Sequence, residues 1–186
     1  TGATITWLKD DIQLLSSSKE SGPLAQKANP NDTTYIVPAF SGLGAPYWDA
    51  NAKACIVGIT RSTGRNEIVK AAEESIAYQI ADIINVMEED SGIVISQLKV
   101  DGGPTRDNFL MQFQSDIIHK EVTVPEGEEL SGIGVAYCAG IALGLFDKEK
   151  VFSQMRSNSY LPQMDEETRA KKYSGWKNAV IKSLSR

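Results

Sequence analysis

Four short runs rich in branched and aromatic residues, TYIVPAF (34–40), ACIVGIT (54–60), SQLKV (96–100) and EVTVP (121–125), alternate with longer stretches whose apolar residues recur every three to four positions. Side chains repeat every two residues along a strand and every 3.6 along a helix, so the two patterns cannot exchange places. Strands interleaved with helices predict an α/β domain. The clearest helix runs over 65–90. Ile68, Ala72, Ile76, Ile80, Ile83 and Met87 form its apolar stripe, and Glu67, Lys70, Glu74 and Asp82 lie opposite. Ser91-Gly92 stops it. Further helices are expected over 2–15, where Ile5, Leu8, Ile12 and Leu15 recur, and over 105–119, 131–146 and 165–185. The polar stretch 16–33 reads as a loop with one short helix.

The chain has 186 residues, 41% of them apolar, enough for one domain with a sizeable core. Its net charge is −5, and its 19 basic residues form no Lys/Arg run, so nucleic acid and anionic membranes are poor partners. No apolar stretch reaches membrane-spanning length, and TGATITWLKD lacks the pattern of a secretory signal. Cys55 and Cys138 both sit in apolar contexts, which predicts small core residues in a reducing, cytoplasmic setting. His119 closes a predicted helix without a ligand cluster, so no metal site is expected there.

Three glycine-rich segments carry the chemistry. In VDGGPTRDNFLMQ a strand ends, two glycines follow and a helix begins. Ligands of α/β sheets bind beyond strand ends of this kind, and a helix N-terminus offers free N–H groups to phosphate. Gly102 and Gly103 would let a nucleotide approach the backbone, although a tight capping turn is the simpler reading of the motif by itself. SGIGVAYCAG (131–140) fails the dinucleotide fingerprint because Tyr137 holds the third glycine position, so close helix packing is the plainer expectation. FSGLGAPYWD (40–49) reads as a rigid packed loop, with a substrate wall of Pro46, Tyr47 and Trp48 as the alternative. No GxxxxGK[ST] occurs, so a P-loop is excluded.

PAFSGLGAPYWD, GITR, AAEESIAYQIADI, VDGG, NFLMQFQSDI and GIGVAYCAGIALG, in this order, resemble the C-terminal half of the FGGY family of carbohydrate kinases, its glycerol kinases above all. TGATITWLKD and YSGWKNAVIKS extend the likeness along nearly the whole chain. The resemblance implies an RNase-H-like domain of the actin-like ATPase type, with a mixed sheet flanked by helices. Residues 1–186 would be part of the C-terminal nucleotide-binding domain, without the N-terminal substrate domain and the first strands of its own.

It implies ATP and Mg²⁺ as cofactors and transfer of the γ-phosphate to a polyol or sugar, glycerol first, giving glycerol 3-phosphate. A ketose or other polyol acceptor, or a non-catalytic module that keeps the fold, are the alternatives. It assigns nucleotide contacts to Gly2, Thr6, Gly102, Gly103 and Asp107. The catalytic Asp and the acceptor pocket belong to the other half, so this chain alone is expected to be inactive and to self-associate through its exposed cleft face. Three departures stand out. Asp107 replaces a usual Asn, Thr6 a frequent Gln, and Ser131-Gly132-Ile133-Gly134-Val135-Ala136 the usual Thr-Ala-Leu-Gly-Ala-Ala.

Overall fold

A computed structural model describes residues 2–126, 130–153 and 157–185. Thr1, which opens the first motif, lies outside them. The elements run α1 (Gly2–Thr6), α2 (Ser21–Ala25), β1 (Tyr35–Val37), β2 (Cys55–Val57), α3 (Arg65–Ser91), β3 (Gln97–Lys99), α4 (Asn108–Ile118), β4 (Glu121–Pro125), α5 (Leu130–Ala142), α6 (Lys148–Ser153), β5 (Ser157–Tyr160) and α7 (Glu166–Ser183). β1 and β2 pair antiparallel. β3 pairs parallel with β4, Leu98 opposite Val122, and β4 pairs antiparallel with β5, Val122 opposite Tyr160. The sheet is therefore mixed, and β3–α4–β4 is the crossover that a parallel pair requires. The expected α/β class, a mixed sheet flanked by helices, is the one observed.

α3 is the axis of the molecule. Glu67 fixes its start by accepting hydrogen bonds from the backbone N–H of Gly64 (2.9 Å) and Asn29 (2.8 Å). Gly92 ends it in the left-handed conformation, φ 66°. Around α3 one apolar cluster joins Val37, Ile76, Tyr78, Leu110, Phe113, Ile117, Val122, Trp176 and Val180. Tyr78 stacks on Trp176 with centroids 5.3 Å apart and meets Phe113 edge-on at 5.4 Å. A smaller cluster of Leu8, Leu15, Ile36, Val69, Ala71 and Ala72 packs beneath α1.

The structure corrects several expectations. The helix predicted over 2–15 is α1 followed by a π-turn at Trp7–Asp11, and the wider turn swings Ile12 outward while Leu8 and Leu15 stay buried. The polar face expected for α3 is not solvated. Lys70, Glu74 and Asp82 are buried, because α2, α4, β1 and α7 cover the helix on more than one side. Ile83 and Met87, assigned to the apolar stripe, are exposed. Cys138 is exposed and Cys55 only half-buried, both as free thiols. Cys138 lies on α5, where Val135 is also exposed; Leu143, Leu145 and Phe146 just beyond the helix are exposed as well. Nor are Gly132 and Gly134 packing contacts, since nothing lies within 4 Å of where a Cβ would be.

FSGLGAPYWD divides its roles. Asp49 accepts hydrogen bonds from the backbone N–H of Asn51, Ala52 and Ser185, Tyr47 points inward, and Trp48 stays 76% exposed.

Candidate nucleotide pocket

The pocket is built where α1, α2, α3 and the start of α4 meet. Its local frame follows from DGG. Gly102 has φ +94°, a conformation that side chains rarely adopt, and it turns the chain out of β3. A single 3₁₀ turn, Gly103–Arg106, leads to α4. Asp107 is the N-cap of that helix. Its Oδ1 accepts from the backbone N–H of Phe109 (2.8 Å) and Leu110 (3.2 Å), leaving Oδ2 turned toward Ser21 Oγ at 3.5 Å. Aspartate and asparagine cap helices about equally well, so the departure from the family's Asn keeps the cap.

A cavity of about 850 Å³ opens here. Gly2, Thr6, Gly103 and Asp107, named from the sequence, all line it. Gly102 does not. It faces a neighbouring hollow of about 300 Å³, together with Asp101 and Tyr160. At Gly2 and Gly103 a Cβ would have nothing within 4 Å among the described residues, and both glycines line the cavity. Gly22 is different. A Cβ there would stand 2.3 Å from Asp107 Oδ1 and 2.4 Å from Oδ2, so α2 approaches the capping carboxylate only because the side chain is missing.

The walls combine opposite characters. Lys9, Lys19 and Arg106 bring positive charge, while Ile5, Ile76 and Phe109 bring apolar surface. The floor holds Glu73, which sequence reasoning placed nowhere. It is 2% exposed, and burial, with the charge of Asp107 adding to it, pushes its carboxyl up to about 7. Its spacing held a usable signal. Glu73 precedes Ile76 by three residues and Ala77 by four, so it lies on a buried face of the helix. Among the described residues no group of three His, Cys, Asp or Glu could hold a metal ion, and no helix is long and apolar enough to cross a membrane.

Chemically, such a pocket suits an occupant with an anionic end, a flat apolar body and hydrogen-bond donors: glycine backbone and lysines for the first, Ile and Phe for the second, carboxyl oxygens for the third.

The chain resembles known proteins along nearly its whole length. The chain is 50% identical over 184 residues to a glycerol kinase of Brachyspira hyodysenteriae, covering 98% of this chain and 37% of that protein. A Vibrio atlanticus glycerol kinase is 46% identical over 181 residues, covering 96% of this chain and 36% of its own length. The chain thus spans little more than a third of these relatives. Among solved structures, Plasmodium falciparum glycerol kinase with ADP superposes with a TM-score of 0.91 at 34% identity, over all of this chain and 37% of that one. A ligand-bound xylulose kinase of Lactobacillus acidophilus gives 0.77 at 22% identity, over 98% of this chain and 39% of that one, which is a likeness of fold alone. Residues 1–143 match the C-terminal domain of the FGGY family of carbohydrate kinases, and the chain belongs to that family.

Proposed function

We propose that this chain is the nucleotide-gripping part of an ATP-dependent glycerol kinase. The observation that carries it is the convergence of Gly2, Thr6, Gly103 and Asp107 on one cavity, where Gly2 and Gly103 have nothing within 4 Å of a Cβ among the described residues. Gly103 and Gly2 let phosphate oxygens reach backbone, Lys9 and Lys19 balance their charge, and Phe109 and Ile76 receive the base. Gly102, outside the cavity, holds the turn. Mg²⁺ rides on the nucleotide's phosphates rather than in a protein cage, as it commonly does in phosphoryl-transfer sites. What the residues here contribute is position and charge, which is most of what phosphoryl transfer asks of a protein.

The acceptor hydroxyl and the base that takes its proton lie in the portion of the relatives that this chain does not span. Glycerol is favoured over a ketose because the relatives at 46–50% identity are glycerol kinases. We place the kinase in the cytoplasm, and we expect the exposed apolar residues of α5 and the turn after it to drive self-association, seen as concentration-dependent sedimentation.

Calorimetric titration tests the reading. ADP should bind saturably to the 186-residue chain and glycerol should give no heat. Glycerol binding without ADP binding would reverse the assignment.

A further inference from the structure

The buried carboxyl in the pocket floor has an arrangement that the nucleotide reading does not use. Glu73, Asp107 and Ser21 line one cavity, the Ser21 hydroxyl 3.5 Å from Asp107 Oδ2, and α2 approaches Asp107 so closely only because residue 22 is glycine. The three groups do not share protons evenly. Ser21 has one hydroxyl proton and donates it to the Ser18 carbonyl at 2.7 Å, against 3.5 Å to Asp107 Oδ2. Its oxygen is then left to accept rather than donate. Asp107 already receives two backbone N–H groups at a helix N-terminus, where negative charge is favoured. Glu73 has no such support.

The charged groups lining the same cavity are Lys9 beside α1, Lys19 before α2, and Arg106 and Asp107 before α4. Lys9 pairs with Asp10 at 3.0 Å. On α3 itself Lys70 turns to the Asn29 carbonyl and Glu74 to Lys172 of α7. Of all these, Asp107 is the one whose charge acts on Glu73, after burial itself.

Resting on the nucleotide reading above, we propose that Glu73 and Asp107 form a carboxyl pair that carries one proton, on Glu73, and that this proton is linked to nucleotide binding, so that the chain grips a nucleoside diphosphate more tightly below neutral pH than above it. Losing the proton places a second negative charge in a nearly dry floor under an anionic ligand. By linkage, the bound nucleotide in turn holds the proton on Glu73.

The test measures ADP affinity of the 186-residue chain and of Glu73→Gln from pH 6 to pH 8.5, with the Glu73 carboxyl followed by ¹³C NMR in the free protein. Titration of the ADP phosphate is common to both chains and cancels in the comparison. The expected result is a wild-type affinity that falls roughly three- to tenfold more than that of Glu73→Gln across the range, the order of an ordinary coupling between sites. The free Glu73 carboxyl should titrate near neutrality, and Asp107→Asn, which still caps α4, should move that midpoint down. Parallel affinity profiles, or a Glu73 midpoint in the ordinary carboxylate range, would overturn the proposal while leaving the nucleotide site standing. Failure of ADP to bind either chain at every pH would instead overturn the nucleotide reading, and the linkage with it.

Discussion

Glu73 and Asp82 lie on the same helix and are equally hidden, each 2% exposed. Asp82 is saturated. Its Oδ2 accepts from the Tyr47 hydroxyl and the Trp176 indole N–H, both at 2.7 Å. Its Oδ1 accepts from the Tyr173 hydroxyl (2.5 Å) and the Lys177 ammonium (3.3 Å). The carboxylate thereby ties α7 and the FSGLGAPYWD loop to α3. Burial, and then the bonds to Asp82, push the Tyr47 and Tyr173 hydroxyls far above the usual tyrosine range. Among the described residues Glu73 has neither four donors nor a cation, and it lines a cavity. A buried charge surrounded by donors is a fastener, and a buried carboxyl left short of them beside open space is available for chemistry. Two interior positions of α3 illustrate both.

The contrast can be broken by making the same substitution at both places. Asp82→Asn turns one acceptor into an NH₂ facing two donors, whichever way the amide lies. It should cost about 3–5 kcal/mol in urea unfolding, because several buried groups lose partners together. Glu73→Gln should act in the opposite direction above neutral pH. A carboxyl whose folded-state value is raised gives its full stability below its unfolded value and loses it as pH rises through the folded one. Wild-type stability should therefore fall between about pH 4.5 and 7 on account of Glu73. Glu73→Gln should be more stable than wild type by about 1–3 kcal/mol at pH 8 and should lose that advantage in acid, as thermal melts across pH would show.

Gly22→Ala sharpens the pocket side. The new methyl meets the Asp107 carboxylate and must displace the cap of α4, which is worth about 1 kcal/mol of stability. ADP affinity should fall with it in a fluorescence titration. The smallest effect should come from Ser21→Ala, which removes the hydroxyl that faces Asp107. It should cost about 1 kcal/mol or less in a melt, because the bond from the hydroxyl to the Ser18 carbonyl is lost.

The sequence is legible where local pattern and tertiary role agree. α3, α4, α7 and the first four strands are readable, and so is the end of α4 at His119, which takes the left-handed conformation at φ 53°. β5, SNSY, carries no strand signal. It forms because β4 offers an edge and because Ser115 Oγ hydrogen-bonds the Tyr160 carbonyl at 2.9 Å. Of the cavity residues named in advance, Gly103 belongs to the Asp-Gly-Gly turn, while Gly2, Thr6 and Asp107 came from the resemblance. Glu73 stands in AAEES beside Glu74, which the pattern put on the polar face, and only its helical spacing to Ile76 and Ala77 signals burial; that burial is completed by α2 and α4, elements distant in the chain. The exposed side of α5 is the converse, a strongly apolar sequence that packing among the described residues does not cover.

The central claim is that this cavity is the nucleotide site. Its most direct test is a backbone amide NMR map of the 186-residue chain during ADP titration. The account predicts saturable shifts clustered at Gly2, Thr6, Gly103 and Asp107, with the amides of Tyr47, Tyr173 and Trp176 around Asp82 unmoved. Shifts centred on the Asp82 region, with the glycine pocket silent, would contradict it.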